Sequence, residues 1–211
     1  DKTTDAGIPK AFFINKSDDP DAHFDKVFEQ LHEQFGAAVC PVLVPYKDGK
    51  NVYFLNLIER KAYSFDAKGS RTASDFDAKM EEIASQYTDT LSEALASTSE
   101  ELLDKYFEEG EISQEESVEA LHQGIIDGSI VPVFSGSAVN LWGITFLLDT
   151  IADSFPRPTA KKVEKIIDGD GYKDIAIDPD GEPAIFVFKT IADPFVGKMS
   201  FFKVMSGKLT N

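Results

Sequence analysis

Two short apolar runs, KAFFI at 10–14 and IVPVF at 130–134, set the terms on which this chain folds. Each is rich in Phe, Ile or Val and is halted by a polar loop, the signature of a short buried strand. Each loop then gives way to a helical pattern. After the first, Asp19 is placed to cap and Pro20 to enter a first turn, and Phe24, Val27, Phe28, Leu31 and Phe35 recur at helical spacing until Gly36 stops them. After the second, Ile144, Phe146, Leu147, Leu148, Ile151 and Phe155 form an amphipathic stripe, with Trp142 as a packing anchor at its start. Strand, loop and helix in succession are the unit of an α/β layer. The interval 37–129 is far too long for a plain crossover, since structureless connections rarely exceed about 15 residues. It must hold structure of its own.

That interval opens with another apolar run, AAVCPVLVP at 37–45. Tyr46-Lys47-Asp48-Gly49-Lys50 is turn chemistry, and 52–65 reads as strand material around a short helix or bend. From Asp75 the spacing becomes helical. Phe76, Met80, Ile83, Tyr87, Leu91 and Leu95 line one stripe. Leu102, Leu103, Tyr106 and Phe107 line a second behind Thr98 and Glu101, and Val118, Leu121, Ile125 and Ile126 a third behind Ser113 and Glu116, both pairs at capping-box spacing. Such stripes are core surfaces rather than cofactor contacts. After Phe155 the prolines of FPRPT, Pro156 and Pro158, mark a boundary. DGDG and DPDG then read as turns, and AIFVFKTIA and KMSFFKVMSG as strands of a β domain that stops at Asn211, short of closing a barrel.

Charge narrows the partners. The formal net charge is −16, and residues 75–119 carry fifteen Asp or Glu against Lys79 and Lys105 alone. Nucleic-acid affinity rests on phosphate neutralisation by Lys and Arg, so this segment repels a polyanion. It is either a solvated helical face or a surface for a basic protein. No run reaches the ~18 uninterrupted apolar residues of a membrane span, and DKTTDAGIPK has no basic-then-apolar leader. Starting without Met, the chain reads as a piece excised from a longer protein. A single cysteine, Cys40, rules out an internal disulfide and fits a reducing cytosol. His23, His32 and His122 are dispersed, so a zinc site is not expected, and no Ser, His and Asp grouping has a nucleophile signature.

The chemistry lies at the strand ends. The first strand runs into Asn15-Lys16-Ser17-Asp18. An ionised carboxylate only accepts hydrogen bonds, and its two oxygens take two parallel N–H donors. Guanine offers that pair on N1–H and its 2-amino group, and adenine does not, so Asp18 would select guanine by standing unpaired against the wrong base. Asn15 would bond the other edge of the ring. The Lys16 stem would lie over the base while its ammonium ties neighbouring loops. The carboxyl end of an α/β strand is where nucleotides bind. Two plainer readings of the same residues are a polar turn and, in a secreted chain, a glycosylation sequon at Asn15-Lys16-Ser17. What favours base reading is a second loop, Ser135-Gly136-Ser137-Ala138, again between a strand and a helix.

AFFINKSDDPDAHFDKVFEQLHEQFG, SEELLDKYFEEGEISQEE, IVPVFSGSAVNLWGITFLLDTIADSFPRP and FKTIADPFVGKMSFFKVMSGKL, in that order, resemble the bacterial elongation factor G family. Ser17 stands where that family usually carries Met, and 159–183 follow its pattern poorly. The resemblance implies the C-terminal part of a P-loop GTPase domain at 1–36 and 130–158, a large inserted α+β subdomain at 37–129, and the incomplete start of an all-β barrel domain at 159–211. It implies that Asn15, Lys16, Ser17, Asp18, Ser137 and Ala138 read guanine, the Ala138 N–H meeting the guanine carbonyl and Ser137 stiffening the turn. It also implies GTP or GDP with magnesium in the full-length protein, a cytoplasmic home, and movement of transfer RNA and messenger RNA on the ribosome. The acidic helices at 75–119 would face the ribosomal stalk protein. Release factor three and ribosomal protection proteins share both loops, and an acidic binding module without a nucleotide is the alternative of another class.

No GxxxxGK[ST] phosphate loop occurs in the 211 residues. Asp168 and Asp178, each three residues before a Gly, imitate a magnesium loop but follow the second base loop, so they read as turns. The expectation is a piece that hydrolyses no GTP and binds guanine nucleotide weakly or not at all. Its strands at 10–14 and 130–134 would have lost their sheet neighbours, favouring self-association.

Overall fold

The two apolar runs pair with each other. In the computed structural model, β1 (Phe12–Ile14) lies parallel to β7 (Val131–Ser135), with Phe13 opposite Phe134. On the far side of β7 lies β2 (Val39–Pro41), also parallel, giving the order β1-β7-β2. The structure describes residues 3, 7–157 and 162–210. The expectation that 130–134 had lost its sheet neighbours is corrected: β7 is the middle strand, and all five of its residues are buried. A strand apolar on both faces belongs in the interior of a parallel sheet.

At Val42 the chain leaves this sheet. The Val42 N–H donates to Val133 O at 2.9 Å, and its carbonyl accepts from Leu57 N at 3.0 Å in the next sheet. The run 37–45, which reads as one stretch, is therefore two strands joined at a single residue. The second sheet is antiparallel, β3 (Leu43–Asp48), β4 (Asn51–Asn56), β5 (Lys61–Phe65) and β6 (Arg71–Asp75) in sequence order. Gly49, at φ 61°, opens the two-residue turn between β3 and β4. Strand β6 has no counterpart in the sequence reading. All five of its residues are exposed, so it carries no apolar alternation, and β5 holds it through the backbone.

The helices are α1 (Phe24–Phe35), α2 (Ala78–Ala96), α3 (Glu100–Glu109), α4 (Gln114–Asp127) and α5 (Ile144–Ser154). Two expected caps are corrected. Asp19 does not cap α1; its Oδ1 accepts the Asp21 N–H at 2.9 Å and tightens a turn ahead of the helix, which starts behind His23. Ser99 rather than Thr98 caps α3, because Thr98 Oγ1 donates back to Leu95 O at 2.7 Å while Ser99 Oγ accepts from Leu102 N at 3.2 Å. The capping box of α4 is complete: Ser113 and Glu116 each accept the other's backbone N–H. One core joins helices and sheets. Phe24 and Phe28 stack at 5.9 Å and meet the edge of Tyr87 on α2, and Phe54 and Phe134 are shut from solvent.

The chain divides into two units, Asp1–Phe155 and Pro156–Asn211. The second holds two hairpins, β8 (Val163–Asp168) with β9 (Gly171–Ala176), and β10 (Ala184–Asp193) with β11 (Gly197–Ser206). Ser206 Oγ links them, its one O–H shared between Ala176 O and Asp178 O, each at 3.0 Å, and its oxygen accepting from Asp178 N. DGDG and DPDG fall in turns, the second closed by Asp178 Oδ1 on Asp180 N at 2.9 Å. Pro158 and Asn211 lie outside the described residues.

The α3–α4 junction makes a pH prediction. Lys105 Nζ at 2.6 Å, then the Ser113 hydroxyl and N–H, hold the Glu116 carboxyl down to about 2 from its usual 4.5. A depressed carboxyl gives stability that is complete above its unfolded pKa and lost as pH falls through the folded one. Urea midpoints of the native chain and of Glu116→Gln should therefore differ at pH 6 and converge between about pH 4.5 and 2. Ser113→Ala should lower stability by about 1 kcal/mol at pH 7.

Candidate functional site

Parallel strands end at the same edge of their sheet, so the loops leaving β1 and β7 are neighbours whatever their separation in sequence. Here they are bonded. The Ala138 N–H donates to Asn15 Oδ1 at 2.9 Å, and the Lys16 N–H donates to the same oxygen at 2.8 Å. The Gly136 N–H reaches Ile14 O at 3.1 Å, and the Ser17 N–H reaches Gly136 O at 2.9 Å. The second loop closes on itself: Ser137 and Trp142 exchange N–H···O bonds of 3.0 Å, and Ser137 Oγ accepts the Asn140 N–H at 3.2 Å. The Trp142 ring sits 6.3 Å from that of Phe54, as a packing anchor does.

The six candidate residues fall into two groups. Ser17 and Ser137 are buried and form the frame, whereas Asn15, Lys16, Asp18 and Ala138 are exposed. With its carbonyl taken twice, Asn15 keeps its amide NH2 for a ligand, and Asp18 presents an acceptor. One detail departs from expectation. The Ala138 N–H is donated to Asn15, which lies opposite it across the β1–β7 junction, rather than being left open for a base carbonyl.

Both loops carry left-handed non-glycine residues, Lys16 at φ 70° and Leu141 at φ 59°. Such positions cost about 1 kcal/mol or more and persist where their surroundings over-determine them. Glycine enforces the close approach. A Cβ on Gly136 would stand 2.0 Å from Trp142 O and 2.7 Å from the Phe13 ring, and one on Gly143 2.3 Å from Ser135 O.

A cleft of about 460 Å³ opens beside the loop pair, between the 15–23 turn, α1 and β3. Ile14, Phe24 and Pro45 give it apolar walls, and Lys16, Lys26 and Lys47 with Asp19 and Asp21 a rim of mixed charge; Asp18 and Ala138 lie outside it. Among the described residues, no cluster of three His, Cys, Asp or Glu is placed to hold a metal ion, and no helix is long and apolar enough to cross a membrane. Cys40 is fully buried, and burial pushes its thiol up to about 12, so it is inert.

Two residues at the site escape a reading of sequence. Ser135 reads as a loop former, yet its buried hydroxyl donates to Leu43 O at 2.8 Å. Lys47 reads as turn chemistry, yet Nζ donates to Asp19 O at 2.7 Å. The first bond joins the two sheets and the second joins β3 to the turn after β1, and no local pattern encodes either.

A profile of the elongation factor Tu GTP binding domain matches residues 2–157. Among solved structures, the crystal structure of ttk003000868 from Thermus thermophilus superposes with a TM-score of 0.70 at 25% identity. The match covers 96% of this chain and 28% of that one, so the present chain spans little more than a quarter of its length.

Gly136→Ala tests the junction. The new methyl must displace the Trp142 carbonyl or Phe13, so denaturant unfolding should show a loss of about 2–3 kcal/mol. The Ala138 amide should exchange faster with solvent.

Proposed function

The chain belongs to the elongation factor Tu GTP binding domain family, and from that premise we propose that Asn15, Lys16, Ser17, Asp18, Ser137 and Ala138 form the guanine-reading part of a translational GTPase of the elongation factor G kind. One observation carries this: the Asn15–Ala138 hydrogen bond joins the two loops across a separation of 123 residues. Two loops so joined offer one base a carboxylate, an amide and a backbone N–H from a single rim. Asp18 takes guanine N1–H and the 2-amino group. Asn15 turns its NH2 to the opposite edge. The Ala138 N–H meets the base carbonyl once it exchanges its bond to Asn15. Adenine leaves the Asp18 carboxylate unpaired, and that penalty is the source of selectivity.

Affinity and hydrolysis come from elsewhere. Phosphate binding needs a backbone cradle and a lysine, and phosphoryl transfer needs magnesium and a positioned water. The 211 residues hold no GxxxxGK[ST], so this chain contributes base reading while the whole protein binds and hydrolyses GTP with magnesium. In this reading β3–β6 with α2–α4 make up the subdomain expected over 37–129, inserted into a GTPase domain. Residues 159–211 begin a β-barrel domain. The acidic helices of 75–119 turn toward a basic surface, which the resemblance assigns to the ribosomal stalk protein, and the whole protein works on the cytoplasmic ribosome in translocation. The β10–β11 hairpin exposes Phe186, Phe188, Phe195, Phe201 and Phe202, and such a surface draws copies of the chain together.

Titration of the ¹⁵N-labelled chain with millimolar GDP should shift the amides of Asn15, Asp18 and Ala138, and the same concentration of ADP should not. Asp18→Asn should weaken the GDP response about tenfold or more, as loss of a charge-assisted pair requires. Equal responses to GDP and ADP, or an unaffected Asp18→Asn, rule the reading out. Sedimentation at rising concentration should show reversible association that Phe186→Ser with Phe188→Ser weakens; a monomer throughout would contradict the association.

A further inference from the structure

Both loops of the proposed base site are fastened to one strand of the neighbouring sheet. Ser135 ends β7, is fully buried, and bonds the carbonyl of Leu43, the first residue of β3. Four residues along the same strand, Lys47 bonds the carbonyl of Asp19. Asp19 follows Asp18 directly, and its own N–H closes a turn onto Lys16 O at 2.9 Å. The strand between the two attachments is rigid: Leu43 and Val44 are buried, and β3 pairs with β4 along its whole length, from Leu43 opposite Asn56 to Asp48 opposite Asn51. From Leu43 to Lys47 it spans about 13 Å at the usual rise per residue.

We propose that Ser135 and Lys47 are positioning residues, which fasten the second and first loops to β3 so that the antiparallel sheet sets the distance between Asp18 and Ala138. The inference rests on the guanine reading above and adds what holds its two halves in register. The proposal gives neither side chain a base contact: the Ser135 hydroxyl is buried against Leu43, and the exposed Lys47 ammonium donates to the main-chain carbonyl of Asp19. An ordinary surface lysine forms loose ion pairs of little energetic weight. Lys47 instead joins two elements 28 residues apart through the turn that carries Asp18. A partner that shifts the sheet then alters base affinity, and the base alters that partner's affinity by the same factor.

Amide hydrogen exchange on the full 211-residue chain tests this without a nucleotide. The Ala138 and Lys16 amides both donate to Asn15 Oδ1 and report the junction, and the Val133 amide reports the interior of β7. In Lys47→Met the two reporters should exchange at least about tenfold faster while Val133 is unchanged, and Lys47→Arg should restore the native rates. Ser135→Ala should accelerate Ala138 more than Lys16. In both Lys47→Met and Ser135→Ala the preference for GDP over ADP should fall. Native exchange at Ala138 and Lys16 in Lys47→Met, or acceleration of Val133 to the same degree, overturns the proposal. A native chain that does not distinguish GDP from ADP, with the reporters still accelerated in the variants, supports the fastening and removes the guanine reading instead.

Discussion

Parallel pairing of β1 with β7 is the constraint from which the rest follows. Parallel neighbours deliver their carboxyl ends to one edge, so pairing Ile14 with Ser135 leaves Asn15 and Gly136 side by side. Two backbone bonds between the loops then need no further guidance, Gly136 N to Ile14 O and Ser17 N to Gly136 O, and the Asn15 side chain adds a third by accepting from Ala138 N. The junction also explains its composition. Gly136 is required because Trp142 O occupies the space of a Cβ, and Ser17 and Ser137 are buried because the loops close over them. Slip the register by one residue and every apolar side chain of β1 changes face. The site is a consequence of sheet pairing first and of loop chemistry second.

The inserted region is secured to this junction from several sides. Val42 bonds both sheets at once, through its N–H to Val133 and its carbonyl to Leu57. On the far side, Arg71 of β6 pairs with Asp149 of α5 at 2.9 Å and lies 4.6 Å from the Phe146 ring, which Tyr63 of β5 meets edge-on at 4.7 Å. The ion pair is exposed and contributes little; the Tyr63 and Phe146 rings, with the Arg71 guanidinium over the Phe146 face, carry the contact. The antiparallel sheet is thus held between the loop that follows β1 and the helix that follows β7. The acidic helices differ in kind. Asp77, Ser99 and Ser113 satisfy their first turns, and acidic residues there sit favourably against the helix dipoles. Six of the fifteen acidic residues of 75–119, namely Asp77, Glu81, Glu100, Glu101, Glu115 and Glu116, therefore serve the helix starts, and the other nine are exposed.

Local physics was legible in the sequence, and long-range geometry was not. The five apolar residues of IVPVF and the stripe from Ile144 to Phe155 declare a buried strand and a helix because periodicity and length are local. The Ser113–Glu116 box is legible because three residues separate two reciprocal bonds. Asp19 and Thr98 misled because each has a nearer partner than the helix: Asp21 N for the carboxylate, Leu95 O for the hydroxyl. Val42 could not be distinguished within AAVCPVLVP, where the turn between sheets falls in unbroken apolar sequence. β6 left no signal because none of its side chains is buried. At the site, residue types named Asn15, Asp18 and Ala138 as candidates, but that Asn15 accepts the Ala138 N–H follows only from the fold, and so do the attachments of Ser135 and Lys47 to β3.

The most direct test of a single base site built from both loops is intermolecular nuclear Overhauser contact between GMP and the isotope-labelled chain. Contacts from one bound base to the Ala138 methyl and also to the Lys16 side chain are the predicted result, absent when AMP replaces GMP. Contacts confined to one loop, or shared equally by GMP and AMP, would contradict the account.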